Sequence, residues 1–296
     1  MAISDAARKR GGKGLWRMQV ARVLGQIALG GVFVVVALGA IFMVMPFVWM
    51  VVTAQKDLPE ISRVPITWLP DNLLNWNNYR VLLTKFPAMR WLLNSIIVST
   101  VSITSSIFFC ALAGYAFAKL HFRGRELCFA IVLAVLMIPF EVTFLPLFVM
   151  LSRVGLVNTY VGIIFPNFMS AIGVFIMRQF MQTIPNDYID AARIDGASEI
   201  QIVGRVVAPL AGPAIVTVAV LKFIISWNSF LWPLVMASNK TMMTMPVGMQ
   251  SLVNQFIIDY GLLAAGATLM VLPPLILFLA AQRWVISGMV MTGLKG

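Results

Sequence analysis

Charged residues are scarce in this chain: Asp, Glu, Lys and Arg together make up only 11% of its 296 residues. Soluble domains carry about 25% charged residues, so this composition excludes an ordinary soluble fold. Hydrophobic residues account for 60% of the sequence, and the mean hydropathy is +0.91. The chain is therefore expected to be a membrane protein.

Residues that carry most enzyme chemistry are scarce as well. The single histidine, His121, lies in the polar stretch KLHFRGRE, where a solvated loop residue is expected. The sequence has no HExxH zinc motif and no paired carboxylates in its apolar stretches, which excludes the usual parts of a membrane enzyme. Cys110 and Cys128 lie in or beside apolar stretches, where small buried side chains are favoured over a disulfide or metal pair.

What the sequence does contain is a series of long apolar runs. Two of them carry a single charge each, Glu141 and Lys222, and the others carry none. A helix of about 20 apolar residues crosses a bilayer core, so each run is long enough to be a transmembrane helix. The runs are 23–55, 91–118, 127–152, 154–177, 206–239 and 260–282.

The segments around these runs differ from them in composition. The basic start resembles a signal peptide, but the run behind it is longer than a signal core of about 7 to 15 residues and is kept as the first span. This gives a basic N-tail (1–23), a transmembrane domain (24–286) and a C-tail (287–296). Residues 241–258 are uncharged but mix in Thr, Asn, Gln and Pro, so we predict an extramembrane loop there.

Basic residues indicate which side each segment faces. With six spans, the two tails, the loop at 119–126 and the segment at 178–208 share one side and carry fourteen Lys and Arg residues, against seven on the other side. The positive-inside rule places the first group in the cytoplasm. The net charge of +11 then reflects topology and contact with anionic membrane lipid; nothing in the sequence supports binding of nucleic acid.

One polar segment interrupts the second half of the chain. Four of the eleven acidic residues lie within 187–199. Pro185 is typical of a helix start, and acidic side chains in the first turn suit the helix dipole. Gly196 can adopt the left-handed conformation that ends a helix. We therefore predict a short helix over 186–194.

A second helical pattern begins near Ala197 and is expected to stop before Pro209, so that two short helices meet at a bend. A loop that merely folds back on the membrane surface is the alternative. The predicted apolar stripe of the second helix is Ile200, Val203 and Val207. The predicted apolar side of the first helix is Tyr188, Ile189 and Ala192.

The spacing in this segment resembles the signature of permease subunits of binding-protein-dependent ABC importers: EAA, three residues, Gly, nine residues, Ile, one residue, Leu-Pro. Asp stands here for Glu, Val for Ile and Ala for Leu, and the spacing is intact. The matching residues are Asp190, Ala191, Ala192, Gly196, Val206, Ala208 and Pro209. The stretches NTYVGIIFPN, ARIDGAS, WNSFLWPL and the final GLKG resemble the shorter permease of the carbohydrate-uptake branch, of the maltose-transporter type.

This resemblance implies an all-α membrane protein: a six-helix transmembrane bundle of the type I ABC importer permease kind with a bent cytoplasmic coupling helix pair. We call residues 185–209 the coupling segment. The implied partners are a second permease subunit, two ATPase subunits and an extracytoplasmic solute-binding protein, in a bacterial inner membrane with both termini cytoplasmic. The residues implied to couple to the ATPase are Asp190, Ala191, Ala192, Arg193, Asp195, Gly196 and Pro209.

The chain has no GxxxxGK[ST] phosphate-binding loop, and GGKG at 11–14 lacks the required spacing. No cofactor is expected on this chain, and ATP and magnesium are expected on the partner ATPase. The chain is therefore expected to be a transport subunit and not an enzyme.

Polar residues inside the spans are costly and usually face a cavity or one another. Glu141, between Pro139 and Pro146 in a span predicted to break or kink, lies at a depth comparable to that of Lys222. We hypothesise an ion pair or a shared wet cavity; separate pairing with the second permease, or contact with water, is the alternative. Other polar residues in the spans are expected mainly to serve helix packing: Asn94, Asn167, Ser226 and the run 99–106.

Trp227 and Asn228 are the candidates for a solute path, because a ring beside an amide suits the apolar face and the hydroxyls of a sugar. The loop at 237–259 matches the position of the external loop that reaches the binding protein in the family. A mono- or oligosaccharide is the expected cargo, and glycerol phosphate or a polyol derivative is the alternative. An ion-coupled secondary transporter would usually carry several intramembrane acids or histidines, whereas Glu141 is the single acid here.

Overall fold

Every regular element is helical in the residues that the computed structural model describes, 2–253 and 259–293. Short 3₁₀ turns at Val135–Met137 and Phe165–Asn167 and a π-helical turn at Val203–Val207 link some of the helices. The expected all-α fold is confirmed. The α-helices are α1 (Ala2–Thr53), α2 (Leu58–Ile61), α3 (Asn77–Lys85), α4 (Ala88–Lys119), α5 (Arg125–Ala134), α6 (Phe140–Arg153), α7 (Tyr160–Ile164), α8 (Ala171–Gln182), α9 (Asp187–Ile194), α10 (Glu199–Ile202), α11 (Ala208–Leu210), α12 (Gly212–Trp227), α13 (Leu231–Met236), α14 (Met245–Val253) and α15 (Tyr260–Gly293).

Three helices are long and apolar enough to cross a membrane unbroken: Leu29–Thr53 within α1, α4, and Tyr260–Ala280 within α15. Three further candidates are pairs of helices joined at a sharp bend. Counting each pair as one span gives the six spans expected from the sequence. The pairs, selected by length and composition, are Arg125–Met137 with Phe140–Arg153 (99°), Tyr160–Asn167 with Ala171–Gln182 (47°), and Glu199–Leu210 with Gly212–Trp227 (87°). In the last pair, Glu199–Leu210 also forms the second part of the coupling segment, which the sequence predicts outside the membrane.

A proline lies at or beside each of these breaks. Pro139 precedes α6, Pro166 lies in the 3₁₀ turn before α8, and Pro213 lies in the first turn of α12. Proline has no amide hydrogen and crowds the preceding turn, so a helix tends to end or bend there. Pro146 lies inside α6, which continues past it. Of the two prolines expected to break or kink the third span, Pro139 therefore marks the break.

α4 lies inside the bundle and packs against α8 and α12. Two glycines allow α8 to approach it closely. A Cβ atom added to Gly114 would lie 2.5 Å from the Cβ of Met177, and one added to Gly173 would lie 2.8 Å from the Sγ of Cys110. Small residues at such crossings are the usual basis of tight helix packing in membranes.

The two cysteines differ in their surroundings. Cys110 is buried, as the sequence predicts, but Cys128 is exposed, so the expectation of a buried side chain is wrong there. Cys128 lies on α5, whose neighbouring apolar residues Leu127 and Ile131 are also exposed. An apolar residue in a membrane helix need not be buried inside its own chain.

The N-terminal end of α4, near Ala88, forms hydrogen bonds to the chain segment between α13 and α14. Trp91 Nε1 donates to the carbonyl oxygen of Lys240 at 2.7 Å. Asn94 Nδ2 donates to the carbonyl oxygens of Thr241 and Met243, both at 2.8 Å. We call Trp91, Asn94 and residues 240–248 the far end, because the coupling segment contacts the other end of α4.

The loop predicted over 241–258 is wrong for residues 245–253, which form α14. Met245, Gly248 and Leu252 recur every three or four residues and are buried, which gives this helix one packed face against α4 and α15. Its remaining polar residues concealed that pattern in the sequence. Residues 254–258 of the predicted loop and 294–296 of the GLKG motif lie outside the described residues.

Candidate coupling site

The coupling segment has the bend that its sequence predicts. α9 ends in a Schellman motif: Gly196 N donates to Arg193 O, and Ala197 N donates to Ala192 O, both at 3.0 Å. Gly196 has φ of +81°, the left-handed conformation expected for this glycine. The chain then turns into α10, where Ser198 N donates to Gln201 Oε1 at 2.9 Å.

The two short helices bury one side and expose the other. Ile189 of α9 and Ile202 of α10 are fully enclosed, together with Val207, in a core cluster that includes Met177 and Met181 of α8. Two residues predicted on the apolar side, Tyr188 and Ile200, are exposed instead, which corrects that part of the prediction. The exposed apolar side chains of the segment are Tyr188 (55%), Ile194 (87%) and Ile200 (74%).

Charged groups fasten the two helices to each other. Arg193 Nε lies 2.9 Å from Glu199 Oε1, and Arg193 Nη1 lies 3.2 Å from Asp190 Oδ1. The hydrogen bond from Arg193 lowers the pKa of the Glu199 carboxyl, and the same contact raises the pKa of Arg193. The bridge therefore stays charged at neutral pH and weakens only as the pH falls through the lowered pKa of Glu199. Asp190 is one methylene shorter than the Glu of the family signature. It still forms an ion pair, but its partner is Arg193 of the coupling segment itself.

Two residues of α4 hold this segment, and no sequence pattern predicted either of them. Tyr115 donates a hydrogen bond from its hydroxyl to Glu199 Oε2. Lys119 Nζ donates to the carbonyl oxygen of Ile184 at 2.5 Å and to Asn186 Oδ1 at 2.8 Å. The two residues are four positions apart and therefore lie on one face of α4.

Pro209 does not end the second helical stretch. The chain runs from α10 through the π-helical turn into α11, which contains Pro209 and ends at Leu210. The expected stop before Pro209 is therefore wrong. The sharp bend comes after Ala211, where α12 begins with Gly212 and Pro213. The π-helical turn ends two residues before Pro209, and the helical chain continues through the proline.

The structure does not form the hypothesised ion pair between Glu141 and Lys222. Lys222 is buried, and its Nζ donates to Asn167 Oδ1 at 3.2 Å. Glu141 is exposed in the first turn of α6 and has no ion-pair partner within the described residues. Lys222 thus has an amide partner instead of the carboxylate that the sequence suggested. Asn167 accepts a hydrogen bond from Lys222 of another helix, which agrees with the helix-packing role expected for it.

Trp227 and Asn228 differ in exposure. Trp227 is buried at 3% and stacks on Phe223, with ring centroids 5.5 Å apart. Asn228 is exposed, and its Nδ2 donates to Ile224 O at 2.9 Å. Both residues line an apolar groove of about 710 Å³ that also contacts α1 and α15. The pair therefore borders a groove, but the Trp227 face that stacks on Phe223 is occupied.

The fold and the site together define a class: a multi-span helical membrane protein that presents a bent, partly exposed helix pair at one end. Residues 106–290 match the family described as "Binding-protein-dependent transport system inner membrane component". The match covers more than half of the chain, and the chain belongs to this family of membrane permeases.

Several curated relatives align over most of the chain. The arabinooligosaccharides transport system permease protein AraQ of Halalkalibacterium halodurans is 36% identical over 89% of this chain and 94% of the relative. The lactose transport system permease protein LacG of Rhizobium radiobacter is 31% identical over 86% and 92%. The sn-glycerol-3-phosphate transport system permease protein UgpE of Pectobacterium atrosepticum is 32% identical over 81% and 88%.

A solved structure shares the fold. It is titled "Crystal structure of a bacterial ABC transporter involved in the import of the acidic polysaccharide alginate", and one of its chains superposes with a TM-score of 0.77. The superposition covers 88% of this chain and 96% of that chain at 20% sequence identity. This similarity supports the type I importer permease fold.

Proposed function

We propose that this chain is the permease subunit of an ATP-driven importer that carries a mono- or oligosaccharide from a solute-binding protein into the cytoplasm by alternating access. The observation that carries the proposal is the coupling segment: two short helices joined at Gly196, buried at the base and exposed at Tyr188, Ile194 and Ile200. The family and the sugar-permease relatives support the same function.

The segment is built as a compact knob. Its base is enclosed in the bundle, and the Arg193–Glu199 contact links its two helices. An ATPase that binds the exposed side of such a knob can move the membrane spans when its own subunits close. We assign contact with the ATPase to Asp190, Ala191, Ala192, Arg193, Asp195 and Gly196, with Pro209 shaping the return to the membrane.

The remaining partners follow from the same proposal. Two ATPase subunits bind ATP and magnesium, so no cofactor is assigned to this chain. A charged carboxylate against lipid is costly, and the exposed Glu141 therefore supports a second permease or a water-filled path beside α6. The coupling segment and both tails face the cytoplasm, and the far end faces the binding protein.

The cargo is proposed from the relatives, whose names include arabinooligosaccharides and lactose. Asn228 borders the groove, and its amide oxygen has no hydrogen-bond partner within the described residues. It is the better of the two solute-path candidates, since Trp227 is largely enclosed. A glycerol phosphate importer is the second candidate, because one relative at 32% identity is named for that solute.

The test is ATP-driven uptake by the complete transporter in proteoliposomes. Scrambling residues 190–196 is expected to abolish uptake while the subunit remains in the membrane with the second permease. The matched control is Asp190→Glu, which restores the family residue and is expected to keep uptake. Full uptake by the scrambled variant would refute the proposal. Binding of arabino-oligosaccharide, lactose and glycerol 3-phosphate to the cognate solute-binding protein would identify the cargo.

A further inference from the structure

The helix that holds the coupling segment is the longest unbroken candidate span among the described residues. α4 has 32 residues and contains no proline. At about 1.5 Å per residue its length is about 48 Å, which exceeds the apolar core of a bilayer, about 30 Å thick. One continuous helix can therefore connect the two sides of the membrane.

The helices that adjoin the coupling segment in the chain lack this continuity. α8 follows a 47° bend, and the chain between α11 and α12 bends by 87°. Each bend is a place where movement of the segment can be absorbed. α4 has no such break, so it provides the stiffest path from the coupling segment into the bundle.

Contacts at the coupling end fix α4 to both parts of the segment. Lys119 holds the start of the segment through Ile184 and Asn186, and Tyr115 holds its second helix through Glu199. Glu199 also receives Arg193 of the first helix at 2.9 Å. Any displacement of the bent pair must therefore move α4 or break these contacts.

Contacts at the far end are equally specific. Trp91 and Asn94 hold three carbonyl groups of the chain that leads into α14, and Ser95 Oγ accepts from Met245 N at 2.8 Å. A Cβ atom added to Gly248 would lie 2.2 Å from Trp91 Cδ2, so α14 rests directly on the indole ring. The far end is thus attached to α4 by hydrogen bonds and by close packing.

We propose that α4 is a transmission rod that passes movement of the coupling segment to residues 240–248 at the far end. Tyr115 and Lys119 are its positioning residues at the coupling end, and Trp91 and Asn94 are those at the far end. This inference rests on the proposed function. It adds a direct mechanical link between the surface assigned to the ATPase and the surface assigned to the binding protein.

The experiment measures the far end while the coupling end is changed. The complete transporter in nanodiscs carries Lys240→Cys in a Cys128→Ser background, and a membrane-impermeant maleimide labels Cys at position 240 with and without vanadate-trapped nucleotide. The parent is expected to show a labelling rate that depends on nucleotide. In Tyr115→Phe/Lys119→Met this dependence is expected to fall by about five-fold or more, because three charge-assisted hydrogen bonds are lost.

The matched control is Thr104→Val, which removes a hydrogen bond from Thr104 Oγ1 to Thr100 O inside α4 itself. It is expected to keep the nucleotide dependence of the parent. Trp91→Phe removes the hydrogen bond to Lys240 O and leaves Tyr115 and Lys119 unchanged, so it tests the link from the far end. It decides the question if the double variant does not assemble. Basal ATPase activity and subunit composition are measured in each variant, since the rod affects transmission and not ATP binding.

Two results would contradict the proposed role of α4. The first is a labelling rate at position 240 that does not depend on nucleotide in a parent that transports. The second is a nucleotide dependence equal to that of the parent in both Tyr115→Phe/Lys119→Met and Trp91→Phe. Absence of ATP-driven uptake in the parent would instead refute the proposed function. The two failures are therefore distinguishable.

Discussion

Single polar residues inside the bundle differ in how well their hydrogen bonds are satisfied. Asn94 is fully buried, donates to two carbonyl groups, and accepts from the Tyr160 hydroxyl at 2.7 Å. Lys222 is also buried but has Asn167 as its only hydrogen-bond partner within the described residues. A buried cation with one partner is costly, because burial removes hydration that a single contact does not replace.

The first prediction concerns this lysine. Asn167→Leu leaves the cation without its partner and is expected to lower the free energy of unfolding by about 2 kcal/mol. Lys222→Met removes the charge and keeps the side-chain volume, so stability is expected to be unchanged or higher. The shift of the thermal unfolding midpoint of the purified transporter in detergent reports the direction of both changes.

Two further variants check the reasoning. Lys222→Met added to Asn167→Leu is expected to recover stability, and Glu141→Gln is expected to act additively with Lys222→Met, since these residues do not touch. If the effects of the Glu141 and Lys222 changes on stability were not additive, the hypothesis of an ion pair between them would be supported again.

A second prediction at this scale concerns Gly248. Gly248→Ala places a methyl group against the Trp91 ring, which is buried at 1%, so the ring or α14 must shift. We expect the free energy of unfolding to fall by about 1 to 3 kcal/mol, which lowers the midpoint of thermal unfolding. Gly204→Ala is the control, because nothing lies within 4 Å of the added Cβ there. Equal stability of the two variants would contradict the packing at the far end.

At the scale of elements, the bend of the coupling segment depends on backbone conformation and not on space. Gly196 has φ of +81°, and no atom lies within 4 Å of a Cβ added to it. The effect of a substitution at Gly196 on stability therefore depends on how readily the new residue adopts a positive φ. Asn adopts the left-handed region readily, whereas a β-branched residue rarely does.

The third prediction uses this contrast. Gly196→Val is expected to open the bend at a cost of about 1 to 2 kcal/mol and to reduce ATPase stimulation by the loaded binding protein several-fold. Gly196→Asn fills the same space with far less strain and is expected to keep most of the stimulation. The result would count against a conformational role for Gly196 if both variants behaved alike.

At the scale of the whole molecule, the charge of the loops predicts the direction in which the bundle crosses the membrane. The coupling segment and the far end lie at opposite ends of α4 and should therefore face opposite sides. Lys240 and Ser198 are both exposed and suitable for labelling.

The fourth prediction tests that orientation in whole cells with a membrane-impermeant thiol reagent in a Cys128→Ser background. Cys introduced at Lys240→Cys is expected to react from outside, while Cys introduced at Ser198→Cys is expected to react only after permeabilisation. Cys110 is buried and provides the low background. The reversed labelling pattern would show that the positive-inside assignment is wrong.

Much of the fold could be predicted because its signals are local. Apolar run length predicted the six spans, and a glycine between two helical patterns predicted the bend, since both depend on residues adjacent in the chain. Helix boundaries were less accurate: the π turn before Pro209 and the packed face of α14 depend on contacts that the sequence does not display.

By itself, the sequence determined the class of protein, its helical architecture, the position of the bent segment and the resemblance to importer permeases. Tertiary structure alone decided the partners of the polar groups: Asn167 for Lys222, Tyr115 for Glu199, and residues 240–243 for Trp91 and Asn94. The physical reason is that hydropathy and helical period act over a few neighbouring residues. Hydrogen bonds between spans instead depend on which faces meet at a given depth after the whole bundle has packed.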